Sequence, residues 1–440
     1  MTEKSVVRRQ ARKSREVVLP FSVEDVGQIG KDRNEPEWLR QERLAAWELF
    51  ETMPMPNLKD EAWRRTDLRK MPASALTYQH SDFDSERGEV PAPDGHAAEL
   101  VFHSGQPTAA TRTESLVAHG VIAEPLAVAS VEHEDLLRQY LGRLVSPGDG
   151  KFAALTAAMA LDGMFVYVPA GVRVEKPIHS SVFLEGEGRA YATRIVVVVG
   201  KGASATIVHE MASSSAENSL YTSTVELFIE DGGRLTFVEV QEFGSQTWNI
   251  THERARVGAD ASCDWIVAAS GSQLTKNFLD LDLQGRGANG RMSGFFMAKK
   301  TQHLDLDTQQ NHFAPNTTSD LLFKGALQDQ SRTVWQGMIY VAPGAQKTDG
   351  YQANRNLLLS SQARADSIPG LEILADDVRC SHGSTAGQLD EEPMFYLMTR
   401  GLPRAEAERL VIHGFFAEVF KRIEIECIRN RFVNMIDGKL

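Results

Sequence analysis

The sequence predicts a mainly β protein with helical segments at both ends. Three observations carry this reading. Between residues 151 and 390 helical periodicity vanishes and short β-branched runs replace it. A loose motif of glycine, a small residue and then a strand recurs through that region. Apolar stripes at helical spacing are confined to the first 75 or so residues and to the stretch after Asp390.

Residues 1–150 read as a helical and mixed region. Basic residues crowd its start (Lys4, Arg8, Arg9, Arg12, Lys13, Arg15). No apolar segment follows them, so a basic tail is expected rather than a signal peptide. Ser22 is placed to cap a short helix, with Asp25 three residues on. A longer helix opens at Pro36 and runs to Thr52, with Leu39, Ala46, Phe50 and Met53 on one face. Met53-Pro54-Met55-Pro56 stops it. A strand is expected over Glu99–His103, and one helix over Val131–Leu144.

The region 151–390 is the β core. Strands are expected over Met164–Val168, Arg194–Val199 and Thr236–Val240. The glycine motif falls at Gly202, Gly232, Gly258, Gly287, Gly325 and Gly344. A stack of sheet coils and a large sandwich both satisfy such irregular spacing. Residues 391–440 return to helix. Asp390 caps the first helix, whose opening Glu391 and Glu392 suit its positive end, and Gly401 ends it. A second opens at Pro403. Ile412, Phe416, Val419, Phe420, Ile423 and Cys427 form one stripe on it, wide enough to suggest a partner as well as a core.

Composition narrows the function. The net charge of −12 argues against nucleic acid as a partner. The longest pure aliphatic run, Ile195–Val199, is far too short to span a bilayer. Three dispersed cysteines, Cys263, Cys380 and Cys427, form neither a disulfide framework nor a self-contained zinc site, so a reducing compartment is expected. Gly285-Arg286-Gly287-Ala288-Asn289-Gly290 matches a dinucleotide fingerprint, but a strand follows it where the mechanism needs a helix. No Walker A sequence occurs, so no ATP hydrolysis by this chain is expected. The pairs His133-Glu134, His209-Glu210 and His252-Glu253 lack the second histidine of a zincin helix. His303, Asp305 and Asp307 share one face of a strand, which reads as the wet side of a sheet with a minor prospect of metal binding; His312 follows shortly after.

Cys380 and His382 are the densest chemistry. Two apart in an extended segment, they leave from the same face. Thiolate with imidazole suits iron or zinc, yet two ligands make only half a site. A buried cysteine beside a turn histidine is the plainer alternative.

The block from Leu371 through Cys380-Ser381-His382-Gly383 to Arg400-Gly401 resembles the SufB/SufD family of scaffolds in the SUF iron–sulfur cluster assembly machinery, and within it the SufD branch. Gln346-Lys347-Thr348-Asp349-Gly350-Tyr351-Gln352, Asn356–Ser360 and Trp63-Arg64-Arg65-Thr66-Asp67 carry the resemblance over nearly the whole chain. It implies a right-handed parallel β-helix core, residues 151–390, flanked by an N-terminal domain (1–150) and a C-terminal helical domain (391–440). It implies a non-enzymatic scaffold, cytoplasmic or in the stroma of a plastid. It implies a heterodimer with a SufB-type paralogue through the β-helix, where His382 and Cys380 face a nascent, transient iron–sulfur cluster that the chain alone does not hold. It also implies docking of the ABC ATPase SufC on the C-terminal helices, where Ile412, Phe416, Phe420 and Ile423 are the expected contact. A SufB-like paralogue and a β-helix carbohydrate-active enzyme of the polyuronide lyase or hydrolase type are the competing readings.

Overall fold

The computed structural model describes residues 17–78, 95–214 and 217–440. The basic residues from Lys4 to Arg15 lie outside that set. Ser22 caps helix α1 (Val23–Asp32). Its hydroxyl accepts from the Asp25 amide while the Asp25 carboxylate accepts from the Ser22 N–H, a reciprocal capping box. Helix α2 (Glu37–Thr52) starts after Pro36 and buries Leu39, Ala46 and Phe50. Strands β1 (Ala98–His103) and β2 (Gln106–Arg112), helix α3 (Glu114–Ala118) and strand β3 (Ile122–Pro125) follow. The single helix expected over Val131–Leu144 is instead two, α4 (Leu126–Glu132) and α5 (Glu134–Tyr140). They break at His133, whose φ of −129° and ψ of 35° lie outside the helical region. The break lets Leu126, Ala129 and Leu137 all pack on one sheet face with Phe165, Val196 and Val198. Helix α6 (Lys151–Met159) is nearly all buried and packs beside α2.

The core is a ladder of strands: β4 (Asp162–Val168), β5 (Ile178–Leu184), β6 (Arg189–Val199), β7 (Ser204–Ser213), β8 (Ser219–Ile229), β9 (Arg234–Phe243), β10 (Thr247–Val257), β11 (Ser262–Gly271), β12 (Leu274–Leu283), β13 (Asn289–Ala298), β14 (His303–His312), β15 (Thr318–Leu327), β16 (Arg332–Val341), β17 (Asp349–Leu358), β18 (Arg364–Ile373) and β19 (Arg379–Gln388). Successive strands alternate between two sheets, and neighbours within a sheet are parallel. That is a parallel β-helix of about eight turns, not a sandwich.

The irregular glycine motif has a regular cause. One residue per coil sits in the left-handed region at a stacked corner: Gly202, Gly232, Asp260, Gly287, Asn316 and Lys347. The amide of each donates to a carbonyl at the same corner of the next coil, as Gly202 does to Asp231 and Asn316 to Gln346. Their spacings are 30, 28, 27, 29 and 31 residues. Glycine takes that conformation without strain, and Asn and Asp tolerate it. Gly258 and Gly344 lie beside the corner and Gly325 lies inside β15, which is why the glycines alone looked uneven.

Odd strands, with β2 at the edge, form the ten-stranded sheet, and even strands, with β3 at the edge, form the nine-stranded one. Their inner faces close on a lumen packed with apolar columns. One column runs Ile178, Ile207, Phe237, Trp265, Met292, Leu321, all buried, and continues to Gln352 and His382. The outer face of the nine-stranded sheet is covered by α2 and α6 through Ala190, Leu220, Trp248, Ile250 and Leu274.

Of the C-terminal helices α7 (Glu391–Thr399), α8 (Arg404–Phe420) and α9 (Glu426–Asp437), α8 and α9 cover the outer face of the ten-stranded sheet, and α7 packs against α8. Asp390 caps α7 by accepting from the Glu392 amide, and Gly401 follows its end in the left-handed region. The continuous stripe expected through Cys427 is interrupted, because α8 ends at Phe420 and α9 begins at Glu426; Cys427 is exposed. Ile412, Phe416, Phe420 and Ile423 do not face outward. They are buried with Phe432 on Val238, Ile266, Phe295 and Met297 of this chain's own sheet. The Phe295 ring lies 5.5, 5.8 and 4.9 Å from those of Phe416, Phe420 and Phe432. The apolar surplus seen on the helix is therefore matched within the chain. A sheet whose outer face is also apolar needs a cover, and the helix stripe supplies it.

Candidate functional site at the open end

The two ends of the β-helix differ. At the first, β2 pairs antiparallel with β1, and β3 pairs antiparallel with β4, so both sheets end in a cap. At the other, β18 and β19 are the last strands of their sheets. The row of β19 that continues the lumen, Cys380 and His382 included, opens to solvent: His382 is exposed and Cys380 is half-buried. On β18, Leu371 and Ile373 are 37% and 38% exposed.

The register explains why these two side chains share a face. Cys380 pairs with Gly350 and His382 with Gln352, one coil below. Beneath Cys380 the column reads Gly350, Ser319, Gly290, Cys263. A Cβ on Gly350 would stand 3.3 Å from the Cys380 Sγ and 3.5 Å from the His312 Nε2. The glycine thus leaves room between thiol and imidazole at the floor of the mouth. His312 is buried and neutral. Its Nε2 lies 2.9 Å from the Ser319 hydroxyl and its Nδ1 2.8 Å from that of Thr317, and burial pushes its pKa down to about 4. Burial also pushes the Cys380 thiol up, against a hydrogen bond from the Gly350 backbone, so in the free chain it is protonated at neutral pH. Gln352, under His382, donates from Nε2 to the Gly370 carbonyl at 2.9 Å, and its Oε1 is buried without a hydrogen-bond partner.

Gly383 lies within β19, paired with Ala353, so no turn follows His382. Asp376 and Asp377 precede the strand. Asp377 is engaged by Lys347, and among the described residues neither aspartate hydrogen-bonds to His382. Cys263 is sealed in the lumen, its thiol raised by burial.

The face of His303, Asp305 and Asp307 is dry rather than wet. Thr66 hydrogen-bonds to His303 and Asp305, and the fully buried Lys276 ammonium lies 3.0 Å from Asp305 and 2.8 Å from Asp307. Burial pushes the Asp307 carboxyl up to about 6. With the lysine between them, these carboxylates form a clamp for the N-terminal segment rather than a metal site. His312, on the opposite face of the same strand, belongs to the lumen. His209 and His252 are buried and His133 is half-buried. Sequence reasoning missed His312, Gly350 and Gln352 as neighbours of the pair. The signal was the coil period: Gly350 and Gln352 each stand 30 residues before Cys380 and His382. With Ile412, Phe416, Phe420 and Ile423 enclosed, the apolar side chains left exposed on the C-terminal helices are Phe395, Tyr396 and Met398 of α7 and Leu410 of α8. Among the described residues no helix is long and apolar enough to cross a membrane.

Residues 182–415 match the family described as SUF system FeS cluster assembly, SufBD core domain, and residues 29–179 match the SufBD protein N-terminal region. The chain is similar to the iron–sulfur cluster assembly protein SufB of Bacillus subtilis, 29% identical across 92% of this chain and 90% of that one. It is similar to SufD of the same organism, 28% identical across 96% and 98%. A SufBD family protein of Staphylococcus epidermidis is 27% identical across 91% and 89%. The chain belongs to the SufBD family of SUF-system iron–sulfur cluster assembly proteins.

Proposed function

We propose that this chain is the SufD-type scaffold of its assembly complex, and that its open end pairs with a SufB-type paralogue. The observation that carries the reading is the uncapped mouth: two sheet edges with free backbone groups and an exposed row of lumen-facing side chains, Cys380 and His382 among them. Free edges in a parallel ladder favour the addition of another strand. A partner seated there converts the half-site into an enclosed one. His382 then supplies an imidazole ligand to the nascent cluster, and Cys380 a thiolate once the cluster's iron displaces its proton. The cluster is cargo, completed by partner ligands, and the chain acts as scaffold rather than enzyme. Membership of the family displaces the carbohydrate-enzyme reading. SufB and SufD match at similar identity, 29% and 28%; the Cys-x-His pair and the fuller coverage of the SufD relative, 98% against 90%, support the SufD role.

SufC docking on the C-terminal helices remains part of the proposal, on different residues. The exposed Phe395, Tyr396, Met398 and Leu410 take the place of the enclosed set.

The deciding experiment is co-expression with the SufB-type and SufC-type partners, reading complex yield by size exclusion and iron and sulfide per complex. His382→Ala is expected to assemble normally and lose most of its iron and sulfide, with Cys380→Ala losing less. Wild-type iron and sulfide in assembled His382→Ala complexes would refute the half-site.

A further inference from the structure

We propose that Glu124, Glu132 and His133, at the closed end, bind a divalent transition-metal ion of the zinc type. The three come from β3, the last turn of α4 and the break between α4 and α5. One ligand atom from each lies within 4.8 Å of the other two. The break at His133 takes that residue out of the helix and brings its Nε2 to 3.5 Å from the Glu124 Oε2.

Glu124 is the observation that points to a ligand. Only 5% of it is exposed, and its Oε2 is buried with no hydrogen-bond partner. A buried carboxylate oxygen left unsatisfied is costly, and 3.5 Å from an imidazole nitrogen is too long for a good hydrogen bond. Its other oxygen is held by the Arg112 Nη1 at 2.5 Å. Arg112 thereby fixes the carboxylate and leaves the Oε2 turned toward His133 and Glu132, the arrangement expected of a partner that orients a metal ligand. One imidazole with two carboxylates is a donor set for zinc and its first-row neighbours rather than for calcium or magnesium, and it leaves a fourth position for water. The two carboxylates outweigh Arg112 by one negative charge, which a divalent cation reverses. The site lies some eight strand spacings from the open end, about 40 Å at ~4.8 Å per strand, so it is separate from the cluster half-site. An ion there would pin β3, the cap of the nine-stranded sheet, to the helices that follow it.

The test is zinc titration by calorimetry of the full-length, chelator-treated chain, with Zn2+ alone as probe. Wild type is expected to bind one equivalent. His133→Ala and Glu132→Gln are each expected to weaken binding at least tenfold, and Glu132 is exposed, so its variant folds. The double variant Cys380→Ala, His382→Ala is expected to bind the same equivalent as wild type. Zinc should also raise the unfolding temperature of wild type and leave that of Glu132→Gln unmoved. Absence of binding by wild type, or affinity in His133→Ala within twofold of wild type, overturns the proposal and leaves Arg112, Glu124 and His133 as an ion-pair network. Loss of the equivalent in the Cys380/His382 variant overturns it as well.

Discussion

The closed and open ends of the β-helix are built from the same coil and finished in opposite ways. At the closed end the lumen column is apolar (Ile178, Ile207, Phe237), antiparallel strands cover both edges, and helices cover the outer face. At the open end the same column becomes Gln352 and His382, and both edges are bare. In a solenoid each coil is stabilised by its neighbours, so an end must be capped or shared. The difference teaches that stability is concentrated toward one end and chemistry toward the other.

The harshest way to break this comparison is to remove residues from 403 onward. With the helix stripe free, such a truncation would spare the β-helix. With Ile412, Phe416, Phe420 and Ile423 enclosed, it strips the cover from Val238, Ile266, Phe295 and Met297. The truncated chain is expected to be insoluble or to unfold at much lower denaturant than wild type, by chemical denaturation followed by circular dichroism. A soluble, equally stable truncation would mean the helices are accessory.

A milder pair of substitutions measures the gradient itself. Leu100→Ala, at a fully buried position of β1 at the closed end, is expected to cost about 2–5 kcal/mol. Leu371→Ala, exposed at the mouth, is expected to cost below about 1 kcal/mol. Urea midpoints with unchanged slopes give both numbers, and equal losses would erase the distinction between the ends.

Acid sharpens the contrast from inside. Burial holds His209, near the closed end, down to about 3, with His179 adding to the effect, and burial holds His312, below the mouth, down to about 4. Folded, each stays neutral, whereas the unfolded chain protonates near pH 6.5. Stability from this source is complete above pH 6.5 and is lost as pH falls from there toward the folded values, by at most about 1.4 kcal/mol per pH unit and per histidine. His312→Gln is expected to flatten the decline in midpoint between pH 6.5 and 4.5. An unchanged decline would show that His312 is solvated through the mouth.

Much of this was legible in the residues. The capping box at Ser22, the start at Pro36 and the cap at Asp390 are local chemistry, and local chemistry reads directly from neighbours in sequence. That His303, Asp305 and Asp307 share one face of β14 was legible from the alternation, and Leu304 and Leu306 between them face the lumen. What the opposite face meets was not legible, because Thr66 and Lys276 reach Asp305 from segments far away in the chain. The same reason hid the fate of Phe416 and Phe420. A stripe records that a helix buries something, and not whose surface it buries. The coil period was obscured because Asp260, Asn316 and Lys347 do at some corners what glycine does at others.

Those corners have a consequence for how such chains change in evolution. Because each coil carries its own left-handed corner and donates to the same place in the next, the coil is a heritable unit. Gain or loss of one whole coil moves the two ends by a single strand spacing, about 4.8 Å, and leaves cap and mouth chemically intact. Gain or loss of an odd number of residues inside a strand instead reverses which side chains beyond it face the lumen. Length differences tolerated in the ladder should therefore come in steps of roughly one coil, while smaller insertions collect at the corners.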